Sequence, residues 1–161
     1  MSILSYQSIM RIKPITDPQP QSVMEHDGKR FSRGCGPAGY DLGLDQVLRA
    51  PHGSAPGWTV NPGDFILASA MEHFEMPDFL LGKVCDKSSW ARRGLAVQNT
   101  VIEPGWHGYL TLEMTNHGTD PLFLPRGAGI CQVIFHVLDE PTAMPYSGKY
   151  QGQGPRPYKA V

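Results

Sequence analysis

Four stretches of the 161-residue chain carry side chains whose types and spacing could do chemistry. The first is Lys87-Ser88-Ser89-Trp90-Ala91-Arg92-Arg93-Gly94, in which two serines precede a helix-compatible run and Gly94 can end it. A serine N-cap leaves backbone N–H groups at a helix start facing outward, where they can meet an anion. Lys87 and Arg92 add positive charge at the same end, so the segment suits a phosphate. Serine-capped turns are also common on ordinary surfaces, and the segment reads that way too. The second stretch, Ile102-Glu103-Pro104-Gly105-Trp106-His107-Gly108, is a tight turn holding one carboxylate and one indole; as a turn it needs no function. The third is Glu113, inside an apolar–polar alternation. Carboxylates are depleted in strands, so Glu113 is either a solvated strand residue or a general base lining a pocket. The fourth is the tail, with Tyr146, Lys149, Tyr150 and Gln153. It reads as a terminus without fixed structure, or as an arm that closes over a ligand and excludes water.

Other signatures fail. His73-Phe74-Glu75 matches one half of the zinc nucleoside-deaminase pattern, but the matching P-C-x-x-C is absent. No G-x-S-x-G and no phosphate-binding P-loop occur. Cys35, Cys85 and Cys131 are odd in number and widely spaced, which argues against a disulfide framework and against a structural zinc site.

The elements that must position these groups are short. Residues 2–12 carry Ile3, Leu4, Ile9 and Met10 at spacings compatible with an opening helix. Residues 13–21 hold three prolines and read as an extended arm. Residues 34–44 are turn-rich and then strand-like, and residues 50–57 read as a loop. Residues 65–69 and 80–85 are strand candidates, separated by the turn Met76-Pro77-Asp78. Residues 109–116 alternate with Leu110, Leu112 and Met114 on one face and Tyr109, Thr111, Glu113 and Thr115 on the other, the pattern of a half-buried strand. Residues 130–138 form an apolar, β-branched run suited to a central strand.

Eighteen glycines and fifteen prolines make up about one residue in five. With 40% hydrophobic and 18% charged residues, the chain can pack a core and reads as one domain built of short strands in a sandwich or barrel. That composition disfavours helix bundles and coiled coils. No apolar run is long enough to span a membrane and the start lacks a signal-peptide pattern, so a cytoplasmic protein is expected. A net charge of −1 speaks against binding a nucleic-acid polymer, while a small anionic ligand needs only a local basic cluster.

Taken together, the segments resemble the dCTP deaminase branch of the dUTPase superfamily. The residues that carry the likeness are Pro37-Ala38-Gly39-Tyr40-Asp41-Leu42, then Lys87 through Leu95, then Glu103 through Glu113. Gly129-Ile130-Cys131-Gln132-Val133-Ile134-Phe135 follows, and Gly148-Lys149-Tyr150-Gln151-Gly152-Gln153 closes the series. The likeness runs from about residue 37 to residue 154, and Glu113 with the tail selects the deaminase branch.

The resemblance implies a mainly β, distorted jelly-roll fold, with a short N-terminal helix and a flexible C-terminal arm at residues 146–161. It also implies a homotrimer with active sites between subunits. The expected reaction is zinc-independent deamination of dCTP to dUTP and ammonia, with magnesium accompanying the triphosphate. Glu113 matches the catalytic glutamate. Ser88, Ser89 and Arg92 match phosphate-binding and supporting positions, and Lys87 a position that is basic in relatives. Glu103 matches the residue that contacts the deoxyribose hydroxyl, with Trp106 near the sugar. Tyr146, Lys149 and Gln153 match tail residues that fold over the triphosphate. Release of dUMP by a dUTPase or a bifunctional relative is the alternative, and a non-catalytic nucleotide-binding relative is a second.

Three departures stand out. Glu103 replaces the aspartate of many relatives, a shift of about one methylene in a geometry-sensitive site. The stretch 96–101 is shorter than in many bacterial relatives, and Gln98, Asn99 and Thr100 are candidates for positioning the attacking water. Trp90 replaces a smaller apolar residue and is expected to pack under the helix.

Overall fold

The computed structural model describes residues 2–48 and 56–160. The opening helix is α1 (Tyr6–Ile12). It stops at Lys13, which adopts a left-handed conformation and donates its N–H to Ile9 O, and Pro14 prevents continuation. The proline-bearing arm then lies along the strands, with Ile15 bridging Phe74 and Pro20 bridging Cys35.

The strands follow in order: β1 (Ser22–His26), β2 (Lys29–Gly36), β3 (Gly39–Val47), β4 (Gly57–Val60), β5 (Phe65–Glu75) and β6 (Leu80–Asp86). After the short helix α2 (Ser88–Ala91) come β7 (Leu95–Val97), β8 (Val101–Ile102), β9 (His107–Asn116), β10 (Leu122–Pro125) and β11 (Gly129–Val137). One curled sheet runs β7-β9-β5-β3-β11-β6-β8, with the β1–β2 hairpin added on β3, and β4 pairs with β10. The strand β3 makes the curl. Its first half pairs with β2 and β11 through Tyr40–Gly43, and its second half crosses to β5 through Leu44–Val47. Register shifts at this crossover bend the strand, as bulges do.

The core lies inside the curl. Leu42, Leu44, Phe74, Leu112, Met114, Ile130, Val133 and Phe135 are buried there. The fold is therefore mainly β with a short helix, as expected. Among the described residues, no helix is long and apolar enough to cross a membrane.

Several elements differ from the sequence expectation. The strand candidate 65–69 continues to Glu75, because residues of weak strand propensity are held there by pairing with β9 and with Ile15. The turn-rich stretch 34–44 is a strand, a two-residue turn and another strand. Residues 50–55 of the expected loop lie outside the described residues, and Gly57 opens β4.

Candidate active site

A cavity of about 650 Å³ opens beside β9. The turn between β8 and β9 supplies one wall through Glu103 and Trp106, and the tail supplies another through Tyr146 and Gln153. Glu113 stands on the β9 wall, half-buried. Its carboxylate has no hydrogen-bond or ion-pair partner among the described residues, although its cross-strand neighbour Leu67 is apolar. The structure thus brings together Glu103, Trp106, Glu113, Tyr146 and Gln153.

The alternation along β9 is only partly kept. Leu112 and Met114 are fully buried, but Leu110 faces the cavity together with Thr111 and Glu113. The change of face coincides with the register shift against β5 between Ser69 and His73, and with the tail pairing onto Gly108 and Tyr109.

The backbone of Glu113 is held from one side by the segment after β7. Gln98 N–H donates to Glu113 O at 2.8 Å. The Asn99 carboxamide accepts from Glu113 N–H at 3.1 Å and donates to Thr111 O at 2.7 Å.

The tail docks on the turn. Trp106, 5% exposed, donates its indole N–H to Tyr150 O at 2.8 Å. Gly152 N–H donates to His107 O and Tyr109 N–H to Gln153 O, each at 2.9 Å. Gly108 makes this approach feasible: its φ of +136 lies where side chains are strained, and a Cβ there would sit 2.7 Å from Gln153 N. Tyr150 and Tyr158 also line the cavity. Tyr150 is legible within the tail motif, whereas nothing in the local sequence around Tyr158 marks it.

Lys87, Ser88, Ser89, Arg92 and Lys149 do not line this cavity. The expected serine cap is absent: Lys87 holds the N-cap position without a side-chain cap bond, and both serines lie inside α2. The Lys87 ammonium instead pairs with the buried Asp41 carboxylate and donates to Ser32 Oγ at 2.9 Å. Asp41 also accepts from Ser32 Oγ at 3.0 Å and from Gln132 Nε2 at 3.2 Å. Trp90 packs beneath α2 as expected, stacked on Phe31 at 5.3 Å with its indole N–H on Gly129 O at 2.9 Å. The exposed Ser88 and Ser89 hydroxyls are therefore presented from a segment anchored on both sides. Lys149 lies over the Tyr150 ring at 5.0 Å.

The family model described as dCTP deaminase-like matches residues 16–138. This chain belongs to that family. A relative named dCTP deaminase, from Neisseria meningitidis serogroup C, is 33% identical over 180 aligned positions, covering 95% of this chain and 96% of the relative. One named "dCTP deaminase, dUMP-forming", from Persephonella marina, is 41% identical over 98 residues, covering 60% of this chain and 54% of the relative. The chain spans 54% to 66% of five dUMP-forming relatives. In structure it resembles 2'-deoxycytidine 5'-triphosphate deaminase from Agrobacterium tumefaciens, with a TM-score of 0.59 at 19% identity over 84% of this chain and 48% of the other. It also resembles EIAV dUTPase, with a TM-score of 0.53 at 21% identity over 81% and 95%. These likenesses establish the dUTPase-like jelly-roll fold.

Among the described residues, no three His, Cys, Asp or Glu side chains gather as a metal cluster.

Proposed function

We propose that this protein hydrolytically deaminates dCTP to dUTP and ammonia, with Glu113 as the general base. The observation that carries the reading is the Glu113 carboxylate on the cavity wall, without a partner among the described residues. Such a group is available to a water and a base. Glu113 takes a proton from water as the oxygen attacks C4 of cytosine and delivers it to the ring nitrogen; it then takes the remaining proton from the new C4 hydroxyl and passes it to the amino group, which leaves as ammonia while the C4 carbonyl forms. Carbon exchanges its amino group for the water oxygen, so the products are dUTP and ammonia.

In this reading Glu103 receives the deoxyribose hydroxyl and Trp106 lies against the sugar. Tyr146, Lys149 and Gln153 meet the phosphates, and magnesium arrives as part of the nucleotide, held by phosphate oxygens. No zinc enters the step. Ser88, Ser89 and Arg92 serve the phosphate site of a neighbouring subunit in a homotrimer, and Lys87, paired with Asp41, holds their segment in place. Two features support that assembly: α2 lies outside the cavity of its own chain, and Phe65, Val101 and Tyr158 leave the cavity rim apolar and exposed. The activity fits the cytoplasm, where deoxynucleotides are made.

A second reading is favoured by the relatives named dUMP-forming, at 36% to 41% identity. There the same site also releases pyrophosphate and leaves dUMP. Incubation of the protein with dCTP and magnesium decides between them. Ammonia with dUTP supports the first reading, and pyrophosphate with dUMP the second. Binding without turnover defeats both. Glu113→Gln is expected to abolish ammonia release while dCTP still binds; a near wild-type rate would remove Glu113 as the base.

A further inference from the structure

We infer that Asn99 is a positioning residue that sets where the Glu113 carboxylate sits, by acting as a substitute strand. The inference rests on Glu113 being the base. Strand β7 covers the edge of β9 only from Leu95 to Val97, opposite Asn116 to Met114. Beyond Val97 one further main-chain bond, Gln98 N–H to Glu113 O, is made on this edge, and Thr111 O and Glu113 N–H are met by no strand. Both would open onto the cavity, which Asn99 and Thr111 line.

The Asn99 side chain closes this gap with a complementary pair of bonds, Nδ2–H to Thr111 O at 2.7 Å and Glu113 N–H to Oδ1 at 3.1 Å. The carbonyl can only accept and the N–H can only donate, so the amide orientation is fixed by its partners. A short carboxamide is the neutral side chain that offers donor and acceptor in one rigid plane, as a peptide group does. Gln98 N–H on Glu113 O completes the grip, so residues 98 and 99 hold both backbone polar groups of Glu113.

Two further facts make this grip matter for chemistry. The Glu113 carboxylate has no polar tether of its own among the described residues, so its position follows its backbone. On the opposite side the support is interrupted nearby, because the ladder with β5 shifts register directly after the Ser69–Thr111 pair. The amide of Asn99 is thus engaged by the protein, and its task is to hold the base in place.

The test measures kcat, KM and melting temperature for Asn99→Leu, which loses both bonds, and Asn99→Asp, which keeps the acceptor and loses the donor. Glu113→Gln is the reference. A displacement of about 1 Å can cost about a hundredfold in rate. Asn99→Leu is expected to lose roughly 30- to 100-fold in kcat, with KM within about threefold and the melting temperature nearly unchanged. Asn99→Asp should fall between Asn99→Leu and the parent protein. A kcat within about threefold of the parent for Asn99→Leu overturns the inference, as does a lowered melting temperature with full activity per folded molecule. Should neither variant fold, amide hydrogen exchange on the unaltered protein decides. The Glu113 N–H must exchange as slowly as those of Leu112 and Met114, and fast exchange overturns the inference. An active Glu113→Gln defeats the parent reading instead, whatever Asn99 does.

Discussion

The indole N–H of Trp106 meets the backbone carbonyl of Tyr150 at 2.8 Å, so the turn that presents Glu103 also carries the tail. Tyr146 N–H on Pro104 O at 2.8 Å and Gln151 Nε2 on Gly105 O at 2.9 Å extend this seam. Cavity wall and tail are therefore one unit. Ending the chain before Tyr146 removes Tyr146, Tyr150, Gln153 and Tyr158 from the wall together. Steady-state kinetics of the shortened protein should show the KM for dCTP raised about tenfold or more, because closing segments supply binding and exclude water. Unchanged kinetics would remove the tail from the site.

The Lys87–Asp41 pair makes a different prediction, on stability. Asp41 is 2% exposed and its partner's side chain 15%. Lys87→Met leaves a buried carboxylate with only neutral donors from Ser32, Gln21 and Gln132. Loss of one partner from a buried ion pair typically costs about 3 kcal/mol or more, whereas replacing both partners is often nearly neutral. Urea unfolding should show that loss for Lys87→Met and recovery of most of it in Asp41→Asn/Lys87→Met. Equal instability of the two proteins would mean that the lysine contributes packing rather than charge.

Glu72 gives the molecule a pH-dependent stability. It is 8% exposed, and its two carboxylate oxygens accept from Gly43 N–H at 3.2 and 3.0 Å. Burial raises its pKa from 4.5 to about 7, a rise that the Gly43 bond and the Arg33 charge only partly offset. Between those values the folded state holds a proton that the unfolded chain has released. The stabilisation is full below pH 4.5 and is lost as pH rises through about 7. The loss amounts to about 3 kcal/mol at most. Unfolding of Glu72→Gln and the parent at pH 5 and pH 8 should diverge, with the variant gaining relative stability at pH 8. Parallel curves would show that the Glu72 carboxyl titrates alike in both states.

Much of the fold was legible because its signals are local. The alternation around Glu113 and the β-branched run near Val133 each describe a strand in contact with the core, and both elements formed. The extension of β5 to Glu75 was hidden, since Met71, Glu72 and His73 have no strand signature; His73 is held by pairing with Tyr109, and Glu72 by Gly43 N–H, both distant in sequence. The motif residues around Glu103 and Glu113 pointed to one cavity. The reversal at Lys87 could not be read, because its partner Asp41 lies 46 positions away and the two meet only through the curl of the sheet. Asn99 was visible as a polar residue near the site, but a side chain standing in for a strand leaves no trace in spacing.

The tail's attachment through Gly108 has an evolutionary reading. Because the bridge from Tyr109 to Gln153 is made of main-chain atoms, it places few demands on the tail's side chains other than Gln151, whose carboxamide meets Gly105 O and His107 N–H. Lineages can exchange those side chains, and with them the preference for a ligand, while the seam itself persists. The constraint moves to the other partner: the position of Gly108 must remain free of a β-carbon for the arrangement to survive.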